Sequence, residues 1–165
     1  MSVLDGMQWD VVANHLLHLA IAYVLALPIA WDREAHSRGV GLRTFPLVAI
    51  GCCAFLLIGR EVLEGSESHA RLLYGLMSGI GFIGGGAILK QDSEVSGTAT
   101  AAAIWATGAI GAAVAWQHYE IALVLGLMTF VTFRFVTPLK AVAQERGGRN
   151  SAESGARDGE DRDGH

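Results

Sequence analysis

Apolar residues gather in five long runs separated by short polar stretches. They span Val11 to Trp31, Phe45 to Gly59, Leu72 to Leu89, Thr98 to Trp116 and Tyr119 to Leu139. None of the five keeps the continuous polar face that a helix at a protein–water boundary needs, so each predicts a helix whose whole surface is solvated by apolar material. The first, third, fourth and fifth runs hold about 18 to 21 residues, enough to cross ~30 Å of hydrocarbon at ~1.5 Å per residue. The second is shorter and is expected to span only if the bilayer thins or Arg43 and Arg60 snorkel to the interface; the alternative is four spans and one re-entrant segment.

The expected fold is therefore all-α: a polytopic membrane protein of about five transmembrane helices. The predicted organisation is one transmembrane domain over residues 1–140 and a polar tail over 141–165. From Gln144 the chain reads QERGGRNSAESGARDGEDRDGH. This segment has too little apolar surface to order itself, and its mixed signs do not make a polybasic lipid anchor. The first run is too long for the apolar part of a signal peptide and is preceded by Asp5 and Asp10 with no Lys or Arg, so it is expected to be retained.

Charge sets the expected orientation. With five spans, the side holding the N-terminus carries Arg60 and Arg71. The other side carries Arg33, Arg38, Arg43 and Lys90, then Lys140, Arg146 and Arg149 just past the last run. The positive-inside bias puts the N-terminus outside and the C-terminus in the cytoplasm, and Trp9, Trp31, Trp116 and Tyr119 fall at run ends where amphipathic rings prefer to sit. Composition adds exclusions. Hydrophobic residues make up 52% of the 165 residues, with mean hydropathy +0.38. A net charge of −4 and the lack of a basic stripe remove nucleic acid as a partner. The vicinal Cys52 and Cys53 lie inside an apolar run with no metal-type spacing, and are read as small packing residues.

Four features could carry chemistry. The third run, GLMSGIGFIGGGAILK, places Gly75 four residues before Gly79 and Gly81 four before Gly85. Its GxGxxG match (Gly79, Gly81, Gly84) follows no strand and is rejected as a dinucleotide loop. Small residues at that spacing let helices approach closely in lipid. The fourth run is rich in Ala and Gly, so the third and fourth helices are expected to pack as a tight hairpin closed by the loop around Asp92 to Gly97. The second feature is the first loop, with Asp32, Arg33 and Glu34 at the end of helix one and Arg43 and Thr44 at the start of helix two. It reads either as an exposed interfacial ion-pair cluster or as a site for a cation or partner protein. Third, Asp10, Asn14 and His18 share one face near the outer end of helix one, a weak metal candidate whose bland reading is an interfacial polar face with His18 bonded to a neighbouring helix. Fourth, Arg134 near the end of run five either snorkels or pairs with Asp32 or Asp92. No Ser-His-Asp or Cys-His arrangement and no phosphate loop occurs, so neither a catalytic centre nor a cofactor is expected.

Asp32-Arg33-Glu34, the GLRT of Gly41 to Thr44, GIGFIGGG from Gly79 to Gly86 and GTATAAAIW from Gly97 to Trp105 together resemble the MgtC/SapB family of bacterial inner-membrane proteins. The match runs from Ala20 to about Gly111. Asp32 stands where the family usually has Glu, and Ser96 where it commonly has a basic residue. Larger members carry a C-terminal ACT-like domain that this sequence does not contain, so regulation through it is not expected. The resemblance implies an inner-membrane protein tied to magnesium homeostasis, with Asp32, Arg33, Glu34, Arg43, Thr44, Gly79, Gly81, Gly84, Gly86, Thr100 and Trp105 at the motif positions. It also implies a non-enzymatic regulator that docks on another membrane complex such as F-type ATP synthase. A small oligomeric cation (Mg²⁺) transporter or channel is the second reading, and a membrane anchor whose tail recruits a soluble partner the third. With Glu120 at the outer interface, few ionisable groups lie in the intramembrane segments (His15, His18, Arg134), which favours the first.

Overall fold

The computed structural model describes residues 8–36, 41–91 and 94–136. Five helices follow in chain order: α1 (Trp9–His36), α2 (Thr44–Val62), α3 (Ser66–Gly86), α4 (Thr98–Ala115) and α5 (Tyr119–Val131), the last running on into a π-helical turn, Thr132–Val136. A small antiparallel hairpin, β1 (Leu89–Gln91) and β2 (Glu94–Ser96), joins α3 to α4 with Lys90 opposite Val95. The expected tail, residues 141–165, and Asp92 lie outside the described residues.

Among the described residues, four helices are long and apolar enough to cross a membrane: α1, α2, α4 and the continuous Tyr119–Val136 segment. The weak span is therefore α3 and not α2, the reverse of the sequence expectation. Helix α2 extends to 19 residues because Arg60 need not end it: the guanidinium donates to the Ala115 carbonyl at the end of α4. Helix α3 begins six residues earlier than its apolar run, at Ser66, and its first turns carry Glu67, His69 and Arg71. Arg71 and Glu67 pair one turn apart, 2.7 Å, fully in the open. Helix α3 then stops at Gly86, where the hairpin takes over from the last residues of the run. Helix α1 keeps 28 residues through Pro28 and carries Asp32, Arg33 and Glu34 on its own last turns.

Helix α4 is the centre of the bundle, packing against α1, α2 and α3 and most extensively against α2. Glycine makes this possible. A Cβ at Gly111 would overlap the Ala49 carbonyl oxygen and stand 3.2 Å from the Ala49 Cα, so α2 and α4 touch backbone to backbone. At Gly108 a Cβ would meet the Ile80 side chain of α3, and at Gly84 it would meet the Ala101 carbonyl at 3.2 Å. Helix α5 leans on α1 and α4 at Gly126, near Leu25 O and Ile110 Cδ1. The hairpin closes on Gly97, whose φ of +84° and close approach to Ala87 O exclude any side chain.

The glycine seam of α3 differs from expectation. Only Gly84 meets α4; a Cβ at Gly75, Gly79, Gly81, Gly85 or Gly86 would find nothing within 4 Å. The α3–α4 hairpin forms, but most of the glycines on α3 face away from it. Cys52 and Cys53 are free and buried in α2, as packing residues should be.

Candidate functional site

Because α1 and α3 run towards the end of the bundle from which α2 and α4 start, four of the motif segments meet there. Asp32 and Arg33 are buried, 7% and 6% exposed, with Arg33 Nη2 donating to Asp32 Oδ2 at 2.8 Å. The expected exposed cluster in a loop is thus a helical, desolvated ion pair. The physical reason is the extra turn of α1, which carries these side chains back onto the bundle instead of releasing them to water. Glu34 acts on the backbone instead, its Oε2 accepting the Leu42 N–H at 2.9 Å to close the α1–α2 turn. A Cβ at Gly41 would strike Glu34 Oε2 and sit 2.8 Å from the Glu34 Cα, so the glycine of the GLRT segment is fixed by contact. Arg43 precedes α2 at its N-cap and is exposed, and Thr44 opens the helix. Thr100 is buried, 5% exposed, one turn into α4, and Trp105, a turn further, is half-exposed.

Gly79 lies elsewhere, on a groove between α2 and α3. The groove holds about 790 Å³, with Leu47, Gly51 and Phe55 on one side and Gly75, Gly79 and Ile83 on the other. Thr44 and Arg71 mark its two ends. Gly81, Gly85 and Gly86 are exposed but are not part of its lining. The charged pair and the glycine groove are therefore separate features linked through α2.

At the opposite end of the bundle, Asp10 and Asn14 expose their side chains while His18 is 2% exposed. Its Nδ1 donates to the Asn14 carbonyl at 2.8 Å, which leaves Nε2 to accept the Tyr119 hydroxyl at 3.1 Å. Both ring nitrogens are used within the fold, and the bond to α5 is the neighbouring-helix contact anticipated from the sequence. Among the described residues, no group of three His, Cys, Asp or Glu is placed to hold a metal. Tyr119→Phe should cost about 1–3 kcal/mol by leaving a buried acceptor unpaired, read by unfolding in detergent. His18→Leu combined with it should cost less than the sum, and strict additivity would contradict the bond. Arg134 is exposed on the π-helical turn.

Sequence reasoning missed three connections. Arg60 satisfies the end of α4, His15 Nε2 lies 2.8 Å from Glu61 Oε1 and ties α1 to α2, and Gly111 fits against Ala49. The glycine was visible in the sequence, but nothing there named α2 as its partner.

The profile of the MgtC family matches residues 19–142. The chain belongs to the MgtC family. It is 35% identical over 134 residues to the uncharacterized protein slr0014 of Synechocystis sp., covering 81% of this chain and 55% of that protein. Protein MgtC of Brucella abortus is 37% identical over 64% of this chain and 44% of its own length. The "Putative magnesium transporter YhiD" of Escherichia coli K12 is 31% identical over 72% of this chain and 59% of its own. The chain thus spans about half the length of these curated relatives. No solved structure matches it. With its apolar helices, family membership makes this MgtC-family chain a multi-pass membrane protein.

Proposed function

We propose that this MgtC-family chain is a non-enzymatic regulator of the bacterial inner membrane that docks on another membrane complex. The observation that carries this reading is the open glycine face of α3. Five glycines have no neighbour for a Cβ, and two of them line a groove of about 790 Å³ walled by leucine, isoleucine and phenylalanine. In lipid, where apolar burial gives no advantage to helix association, such close-approach surfaces are what hold helices together. Beside the buried Asp32–Arg33 pair at the end of α1, Glu34 accepts the Leu42 N–H and so ties the start of α2, one wall of the groove, to α1. The positive-inside bias supports a reading with that end in the cytoplasm and the N-terminus outside. The partner class suggested by the family resemblance is an F-type ATP synthase, and the physiological setting magnesium homeostasis.

The second reading is a small oligomeric Mg²⁺ transporter, favoured by the name of the Escherichia coli relative and by a carboxylate, Asp32, buried at a helix end. Two measurements separate the readings. A photoreactive side chain at Gly81 or Gly85 should give a discrete adduct with an ATP synthase membrane subunit in native membranes; adducts with lipid alone would remove the docking surface. In liposomes loaded with a Mg²⁺ dye, the protein should leave flux at the empty-vesicle rate. Flux that depends on the protein and disappears in Asp32→Asn would replace the regulator by the transporter.

A further inference from the structure

The end of the bundle away from Asp32 holds chemistry that the glycine groove does not use. There α2 ends, α3 begins, α4 ends and α5 begins. A cavity of about 580 Å³ opens among these termini, with Arg60, Ser66, His69 and His118 as its polar lining. No Asp or Glu is among its described lining residues, although His118 Nδ1 lies 3.3 Å from Glu120 Oε1 beside it. Arg60 is held in place by its bond to the Ala115 carbonyl, which offsets the negative end of α4 and leaves further N–H groups of the guanidinium available. His69 Nε2 is buried without a hydrogen-bond partner, a condition that native proteins ordinarily resolve with a water or a bound group. The first N–H groups of α3 point to the same end, since Gly65 offers no side-chain cap.

Beneath this basic mouth lies a second cavity, about 270 Å³ and almost wholly apolar, walled by Leu76, Ile80, Trp105, Ala109 and Ala112 of α3 and α4. Leu73, Trp116 and His118 line both cavities, so the basic mouth and the apolar cleft adjoin. A free anion would account for the mouth but not the cleft. An apolar helix would fill the cleft and leave Arg60 and His69 unmatched. A molecule with a negative head joined to an alkyl chain accounts for both.

We propose that this cleft binds one anionic phospholipid, its headgroup phosphate held by Arg60 and His69 and one acyl chain lying between α3 and α4. The test is native mass spectrometry of the full chain released from detergent micelles, titrated with phosphatidylglycerol, phosphatidylcholine or inorganic phosphate. One phosphatidylglycerol should be retained about tenfold more tightly than phosphatidylcholine, the scale of a charge-assisted hydrogen bond or two. His69→Gln should weaken phosphatidylglycerol about tenfold and leave phosphatidylcholine unchanged. Ala109→Leu should fill the cleft and weaken both lipids. Neither variant touches the Arg60 cap on α4, and unfolding in the same detergent checks that each still folds. Equal retention of the two lipids by the wild-type chain overturns the proposal, as does wild-type retention of phosphatidylglycerol by either folded variant. Displacement of the lipid by equimolar inorganic phosphate would make the mouth a free-anion pocket and would equally overturn it.

Discussion

Gly111→Ala is expected to lower stability by about 1–3 kcal/mol or more, the cost of forcing extra volume into a closed contact. The added methyl would have to occupy space held by the Ala49 backbone, overlapping its carbonyl oxygen. Backbone cannot swing aside as a long side chain can, so α2 and α4 must separate along the most extensive contact in the bundle. The control is Gly51→Ala on α2, where a Cβ meets nothing within 4 Å. There the gain in helix propensity, up to about 1 kcal/mol, should make the change neutral or mildly stabilising. Unfolding in mixed micelles with increasing SDS gives both numbers. If the two variants melt alike, the α2–α4 contact is not what holds the bundle together.

Asp32→Ala should be larger still. Removing the carboxylate leaves the Arg33 guanidinium in a buried position without the oxygen it bonds at 2.8 Å. Breaking a buried pair from one side costs up to about 3–5 kcal/mol, because the remaining charge loses a charged acceptor it bonds in the folded chain. The double variant Asp32→Leu, Arg33→Met makes the second half of the prediction. Replacing both members by apolar side chains of similar volume is often neutral, so it should recover most of the lost stability. If the pair serves only the fold, the double variant will also recover biological activity. If it is part of the functional site, stability returns and activity does not. A loss below about 1 kcal/mol in the single variant would mean the pair is solvated in the membrane-embedded protein.

These two positions show where the sequence was and was not legible. The start of α4 at Thr98 could be read, because Gly97 before it adopts a conformation that only glycine takes easily. The length of α2 could not, because the charge that ends its apolar run, Arg60, is satisfied by a carbonyl 55 positions away. The Asp32-Arg33-Glu34 segment was legible as a cluster but not as buried. Whether an ionic turn at a helix end meets water or a neighbour depends on where the next helix lies.

By itself the sequence determined the solvent, the helical class and the small-residue packing chemistry. Long runs with no polar face admit only a lipid environment, and unpaired backbone in lipid admits only helices or closed barrels. Only the tertiary structure decided which glycines are inside. Gly84, Gly108 and Gly111 are closed against neighbours, while Gly75, Gly79, Gly81, Gly85 and Gly86 stay open. In water a polar face would have told them apart. In a bilayer the inner and outer faces of a helix are equally apolar, and a glycine has no side chain to mark the difference.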